Sequence, residues 1–401
     1  MGITRAGTEQ LAMLLGGLVR FDDPQGLACV KLTEWNEPGE GDDDELAVYG
    51  VNSGSGHVIY NATMYTLGLY GGEGSGQTQL SSPHGIAADP GGTVVVADTG
   101  NGRLVILERR GARLRPRSFV TQGLVEPWGV ALGDRQVIYA TDRAGGALLV
   151  YDGPEDVEPM RVPLDSPRGV AVYGGGSWNY YDEDFAVVVC DDGASLARVD
   201  GSAVTATAVL SDCGGSSFCY PALDYYGNTW VTDSAACMIH KFDRDLDHVG
   251  SFEAAPGQDG LDGPTGIALW RRYGQVFVAE REGARYLWVG TDIEIASFEP
   301  SPRGLSLSGR ILEPSNMLAQ VLDPGGSAVF TLHNGRIEQG GFEFDWDGTD
   351  VNGDPVPGGA MTVSIAVEPT YSSRGYFEKT LLNGFQMQVM EPDTTGSGRR
   401  R

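Results

Sequence analysis

Short apolar stretches bounded by Gly, Pro, Asn and Asp recur through most of the chain, and their length and alternation are those of strands. One set opens at Pro83-His84-Gly85-Ile86-Ala87. It runs through residues 84–89 to the turn Asp89-Pro90-Gly91-Gly92. A β-branched stretch at 93–97 follows, and then a third at 103–107, after Asp98-Thr99-Gly100-Asn101-Gly102. The opening frame, Pro-x-Gly followed by two apolar residues, returns around Pro24, Pro83, Pro127, Pro167 and Pro264, with a degenerate copy at Pro221-Ala222-Leu223-Asp224. The six frames are spaced by 59, 44, 40, 54 and 43 residues. Several strands per unit at that period predict a propeller of six blades.

Each unit also has a second strand ending in an acid or amide: Asn52, Asp98, Asp142, Asp191, Asp233 and Glu280. A residue of this kind entering a tight turn accepts backbone N–H bonds, and that role is expected here in preference to a ring of calcium ligands. The first five units carry a fourth apolar segment and the sixth lacks one. Residues 9–18, upstream of the first frame, are therefore expected as the outer strand of the last blade, which closes the ring and removes a sheet edge.

Composition narrows the class. The 401 residues suffice for two domains, and 59 Gly with 21 Pro suit an all-β chain dense in turns. A formal charge of −26 argues against nucleic acid and anionic membranes. Three Lys against 25 Arg fit a salty medium or a GC-rich genome equally. The apolar run at 11–19 is too short to span a bilayer, and its flanks fit a signal peptide poorly.

Leu69-Tyr70-Gly71-Gly72-Glu73-Gly74-Ser75-Gly76-Gln77, the Pro83 frame and Val96-Ala97-Asp98-Thr99-Gly100-Asn101-Gly102-Arg103-Leu104 together resemble an NHL repeat. NHL repeats form six-bladed propellers, and the resemblance covers about residues 9–291. It is strongest in blade 2 and weakest in blades 1, 4 and 5. From residue 293 the period is lost, and seven short strands suggest an Ig-like sandwich. Phe344-Asp345-Trp346-Asp347-Gly348-Thr349-Asp350-Val351-Asn352-Gly353-Asp354-Pro355-Val356-Pro357-Gly358-Gly359 is similar to the marker of the Ig-like domain of the flagellar hook-capping (FlgD-like) family. That domain ends many exported bacterial proteins. The family's aromatic after the last Gly is replaced here by Ala360-Met361. The expected architecture is a six-bladed propeller over 1–292, a sandwich over 293–392, and at 393–401 a disordered tail or a cloning remnant.

The residue after each frame proline falls where the first strand meets the central channel. That ring reads Gln25, His84, Trp128, Arg168, Ala222 and Thr265. In amidating-lyase relatives of this fold, histidines at several of these positions hold a catalytic zinc; one histidine here falls short of the three ligands a catalytic zinc takes. Two readings remain open: a small-molecule pocket using Gln25, His84, Trp128, Arg168 and Thr265, or side chains that merely plug the channel. Long insertions between first and second strands in blades 1 and 4 place Trp35, Trp178 and Tyr180 on the opposite face, as solvated acidic loops or as a partner or cation site built with the loop carboxylates. The loop from Cys213 to Cys219 is expected to close as a disulfide if the protein is exported. Asp345, Asp347, Asp350, Asn352 and Asp354 resemble a calcium loop but miss the EF-hand spacing, so calcium stays a minor alternative to no cofactor. Asn61-Ala62-Thr63 is a glycosylation sequon by letter, within a blade. No nucleophile elbow, Walker loop, dinucleotide fingerprint or zinc-protease motif is present.

The expected function is therefore a non-enzymatic binding, adhesion or scaffold protein at the surface of a prokaryotic cell or outside it. It recognises a protein, small molecule or glycan through a propeller face. The alternatives are a lyase- or lactonase-type propeller enzyme with a channel metal, and a structural subunit of an extracellular assembly.

Overall fold

The computed structural model describes residues 5–17, 19–35, 45–63, 65–156, 158–174, 178–253, 260–301, 303–370 and 379–387. It divides into two compact units, residues 1–288 and 289–401. The tail at 393–401 and most of the acidic insertion of blade 1 lie outside the described residues.

The first unit is six four-stranded antiparallel sheets, each built from strands consecutive in sequence except the last. Blade 2 shows the logic. Its strands Ile86–Ala88, Thr93–Asp98, Arg103–Arg110 and Arg113–Val120 pair in order, and the second is buried throughout because sheets pack on both of its faces. Val94, Val96, Val105 and Leu107 pack toward blade 1, and Val95, Ala97, Leu104 and Ile106 toward blade 3.

The ring closes as expected in kind, but on a different segment. Arg5–Gly7 pairs with Gly283–Trp288, Ala6 opposite Ala284, as the outer strand of blade 6. The apolar run expected as that strand is instead a helix, α1, Thr8–Leu15. Leu11, Ala12, Met13, Leu14 and Leu15 are strong helix formers with none of them β-branched. The Gln10 side chain accepts the Gly7 N–H at 3.0 Å, and Gly16 ends the helix in the left-handed region at φ 67°. Three residues suffice for the closing strand, which frees the rest to follow local preference.

The strand-ending acids fold the turns. Asp98 is buried and accepts the Ser81 N–H at 2.7 Å, the Asn101 amide and the Arg103 guanidinium. Asp142 accepts the N–H groups of Val125 and Glu126, and Asp233 those of Ser216, Ala235 and Ala236. Each of these three acids thus ties the connection entering its blade to the turn inside the blade, whereas Asp191 of blade 4 accepts the Ser195 hydroxyl.

The second unit is a sandwich. One sheet has the order Ile293–Ser301, Gly304–Ile311, Gly340–Trp346; the other has Ala328–Ile337, Ser315–Leu322, Gly359–Pro369, Lys379–Met387. Strict alternation in Ser315–Leu322 and Gly359–Pro369 puts Met317, Ala319, Val321, Val363 and Ile365 into one core with Leu307 and Trp346. In the acidic loop, Asp347 accepts from Thr349, and Asp350 accepts the N–H groups of Asn352 and Asp354. Those donors hold both carboxyls below the usual carboxylate range. Asp347 and Asp350 therefore shape their own turn.

Candidate functional site

The proline frame is a contact between blades. Gly26 N–H donates to the His84 carbonyl at 2.9 Å, and Gly85 N–H to the Trp128 carbonyl at 2.7 Å. A Cβ on either glycine would lie 2.7 Å from that same carbonyl oxygen, so only glycine permits the approach. In blade 3 a hydroxyl intervenes: Thr141 Oγ1 accepts the Gly129 N–H at 2.7 Å and donates to the Arg168 carbonyl. Thr265 Oγ1 donates to the Pro24 carbonyl at 2.6 Å, joining blade 6 to blade 1.

Blade 5 requires a correction. Phe218 pairs with Asp233 and Pro221 with Val231, as Pro127 pairs with Asp142 and Val130 with Ala140. Cys219, not Ala222, therefore occupies the channel position, and Tyr220 stands where the other blades have glycine. Proline misled the alignment because Pro221 sits three residues beyond the frame position; anchoring on the strand-ending Asp233 gives the right register. The same hydroxyl relay persists, with Thr232 Oγ1 bonded to the Tyr220 N–H at 3.2 Å and to the Thr265 carbonyl.

Tyr220 is the residue the sequence reading missed. It is buried, its hydroxyl donates to Gln25 Oε1 of blade 1 at 3.2 Å, and it receives a hydrogen bond from Trp128 of blade 3. Burial raises its pKa well above the ordinary value. A side chain from blade 5 that bonds to blades 1 and 3 spans the channel mouth. His84, Trp128 and Arg168 converge beside it. The His84 and Trp128 rings lie 3.6 Å apart, and Arg143 and Arg168 stand over Trp128 at 5.2 and 5.4 Å. Asp192 pairs with Arg143 at 2.8 Å and Arg168 at 3.3 Å, and these cations hold its carboxyl below the usual range. Gln25 is reached through Tyr220, and Thr265 is committed to the Pro24 carbonyl. Burial, and behind it the charges of Arg168 and Arg143, pushes the His84 pKa down to about 4; its Nδ1 lies 2.9 Å from Thr99 Oγ1. Among the described residues no three His, Cys, Asp or Glu groups stand close enough to hold a metal ion.

The disulfide is absent. Cys213 and Cys219 are free thiols. Cys219 Sγ turns to Ser234 Oγ at 3.2 Å, and Cys213 Sγ donates to the Leu210 carbonyl at the end of its short helix.

At the far ends of the first strands, loops of blades 4, 5 and 6 meet. Arg271 of blade 6 donates to Leu223 of blade 5 at 3.1 Å, to the Val172 carbonyl of blade 4, and to Asn179 Oδ1 at 2.7 Å. Tyr180 packs on Tyr181, Tyr225 and Tyr226 at centroid distances of 4.8, 5.8 and 5.0 Å. Arg272 stands 4.3 Å over Trp178, and Arg244 3.9 Å over Tyr181. Tyr180 is 46% and Tyr181 37% exposed. Trp35 makes different contacts: it packs against the core shared by blades 1 and 2, under Arg109 at 4.9 Å. Of the three residues expected on this face, Trp178 and Tyr180 join one cluster and Trp35 is a strut elsewhere. Tyr181, Tyr225, Tyr226, Arg244 and Arg272 complete the cluster; the string Tyr225-Tyr226 in the matching loop of blade 5 was the available signal.

Comparison with known proteins agrees with this architecture. Residues 80–107 match the NHL repeat, and residues 312–370 match the FlgD Ig-like domain. No curated protein matches the chain in sequence. Among solved structures, it is similar to a gluconolactonase from Xanthomonas campestris at 14% identity, covering 72% of this chain and 95% of that one, with a TM-score of 0.47. It is similar to virginiamycin B lyase from Staphylococcus aureus at 14% identity, covering 62% and 79%, with a TM-score of 0.44. It is also similar to PorZ, a surface component of the type-IX secretion system of Porphyromonas gingivalis, at 14% identity, covering 88% and 60%, with a TM-score of 0.43. Fold-level neighbours of such different activities assign none of them to this chain. The chain carries an NHL-repeat six-bladed β-propeller followed by a FlgD-type Ig-like domain.

Proposed function

We propose that this chain is an exported, non-enzymatic recognition protein, and that it binds a polypeptide partner with the propeller face opposite Tyr220. The observation that carries this is the exposed cluster of Tyr180 and Tyr181, with Tyr180 braced edge-on by Tyr225 and at a tilt by Tyr226, flanked by Arg244 and Arg272. Trp, Tyr and Arg are the residue types that dominate protein-binding energetics, and rings already braced in the free protein lose little entropy on binding. Arg244 is paired with Glu183 at 3.1 Å, so the rings rather than a free charge are the contact surface this patch offers a partner. Export is supported by the FlgD-type domain. By contrast, the channel mouth has Tyr220 across it and spends most of its polar groups on one another, although among the described residues the buried Arg168 Nε has no partner.

A displayed random-peptide library panned against the full chain tests this. Enriched peptides are expected to lose at least tenfold affinity for the Tyr180→Ala/Tyr181→Ala double variant and to bind Trp128→Ala unchanged. No enrichment, or clones indifferent to the two tyrosines, overturns the reading.

A further inference from the structure

The six seams between blades are not filled alike. Between blades 1 and 2, Tyr49, Val58, Tyr60, Val94 and Val96 pack into a continuous core. Between blades 3 and 4, Leu148, Val150, Val188 and Val199 do the same. The seam between blades 6 and 1 instead holds a cavity of about 510 Å³. Leu27, Val48 and Ile59 of blade 1 line one wall, Phe277 and Tyr286 of blade 6 the other, and Leu11 of α1 lies over it.

The register of the repeats locates the cause. Gly50 pairs with Leu27. The equivalent second-strand positions are Val96, Val188, Val231 and Val278, with Ala140 in blade 3. Blade 1 alone has no side chain there. Facing it, Ala6, Ala279, Gly283 and Ala284 keep the blade 6 wall thin. One group on that wall is unmet. Gln275 is only 3% exposed and donates through Nε2 to the Tyr286 hydroxyl at 2.9 Å, while its buried Oε1 has no hydrogen-bond partner among the described residues. A buried acceptor without a donor is costly.

We infer that this seam is a binding site for a small apolar molecule carrying one hydrogen-bond donor, such as an alcohol or a phenol. The volume lies within the range of ligand pockets, the walls are apolar, and Gln275 Oε1 supplies the orienting acceptor. The seam opens to solvent beside α1, whose Leu14 is 49% exposed at its edge. This site is separate from the tyrosine face, so either can fail without the other.

Fluorescence titration of the full chain with 1-naphthol and with naphthalene tests the inference. 1-Naphthol is expected to bind at least threefold more tightly than naphthalene. Gln275→Leu should remove that difference while keeping affinity for naphthalene. Gly50→Val, which restores the side chain of the other blades, should weaken both at least tenfold; its Cβ meets only the flexible end of Leu27 at 3.0 Å. Should Gly50→Val not fold, Leu14→Trp on α1 narrows the opening and should weaken both probes. Failure of both probes to bind the unmodified chain, equal affinity for the two, or binding undiminished in the filled variant overturns the site.

Discussion

Blade 2 and blade 5 build the same first strand around opposite residues. In blade 2 the frame glycine, Gly85, lets the backbone reach the next blade and donate directly to the Trp128 carbonyl. In blade 5 Tyr220 takes that place, a threonine hydroxyl carries the link to the next blade, and the ring crosses the mouth to blades 1 and 3. A repeat tolerates the loss of its most constrained residue when a neighbouring hydroxyl takes over the hydrogen bond. Blade 3 already shows that relay with its glycine still present. What the exchange provides is closure of the channel.

The sharpest way to break this comparison is Tyr220→Gly, which returns blade 5 to the repeat pattern. If matching the repeat were what mattered, the change would be neutral. We expect a loss of about 4 kcal/mol in urea unfolding, because a buried aromatic is removed and Gln25 and Trp128 lose their shared partner. Neutrality would show that Tyr220 is filler. The reciprocal change, Gly85→Val, forces a Cβ to 2.7 Å from a backbone oxygen that cannot rotate away. Its expected cost is roughly 2–3 kcal/mol by the same measurement, and a variant as stable as the parent would refute the close-approach argument.

The smallest effect is the pH response of His84, whose counterpart in blade 5 is Cys219. Burial and the two arginines hold His84 neutral down to about pH 4, whereas an unfolded chain protonates it near 6.5. The unfolded state therefore binds the extra proton first. The stabilisation is complete above about pH 6.5 and is lost as pH falls through about 4. His84→Gln should flatten the stability profile by on the order of 1 kcal/mol between about pH 6.5 and about 5.5, relative to the parent chain. His240, also depressed by burial, contributes equally to both proteins and cancels. Identical profiles would mean that His84 is solvated in the folded protein.

The amino-acid sequence by itself determined the blade count, the strand order and the sandwich, because those follow from period, alternation and turn chemistry, which are local. It also determined the role of the strand-ending acids, since an Asp entering a tight turn finds its donors within its own blade or the connection before it. Tertiary structure decided the rest. Closure by Arg5–Gly7 was settled by a glycine and a helix-forming run competing for one apolar segment, and hydrophobicity alone does not separate those outcomes. The thiols of Cys213 and Cys219 are close in sequence yet face different partners. Tyr220, the tyrosine cluster of three blades and the underfilled seam at Gly50 each depend on residues far apart in the chain. The ring brings those residues together, and a single blade does not contain the contact.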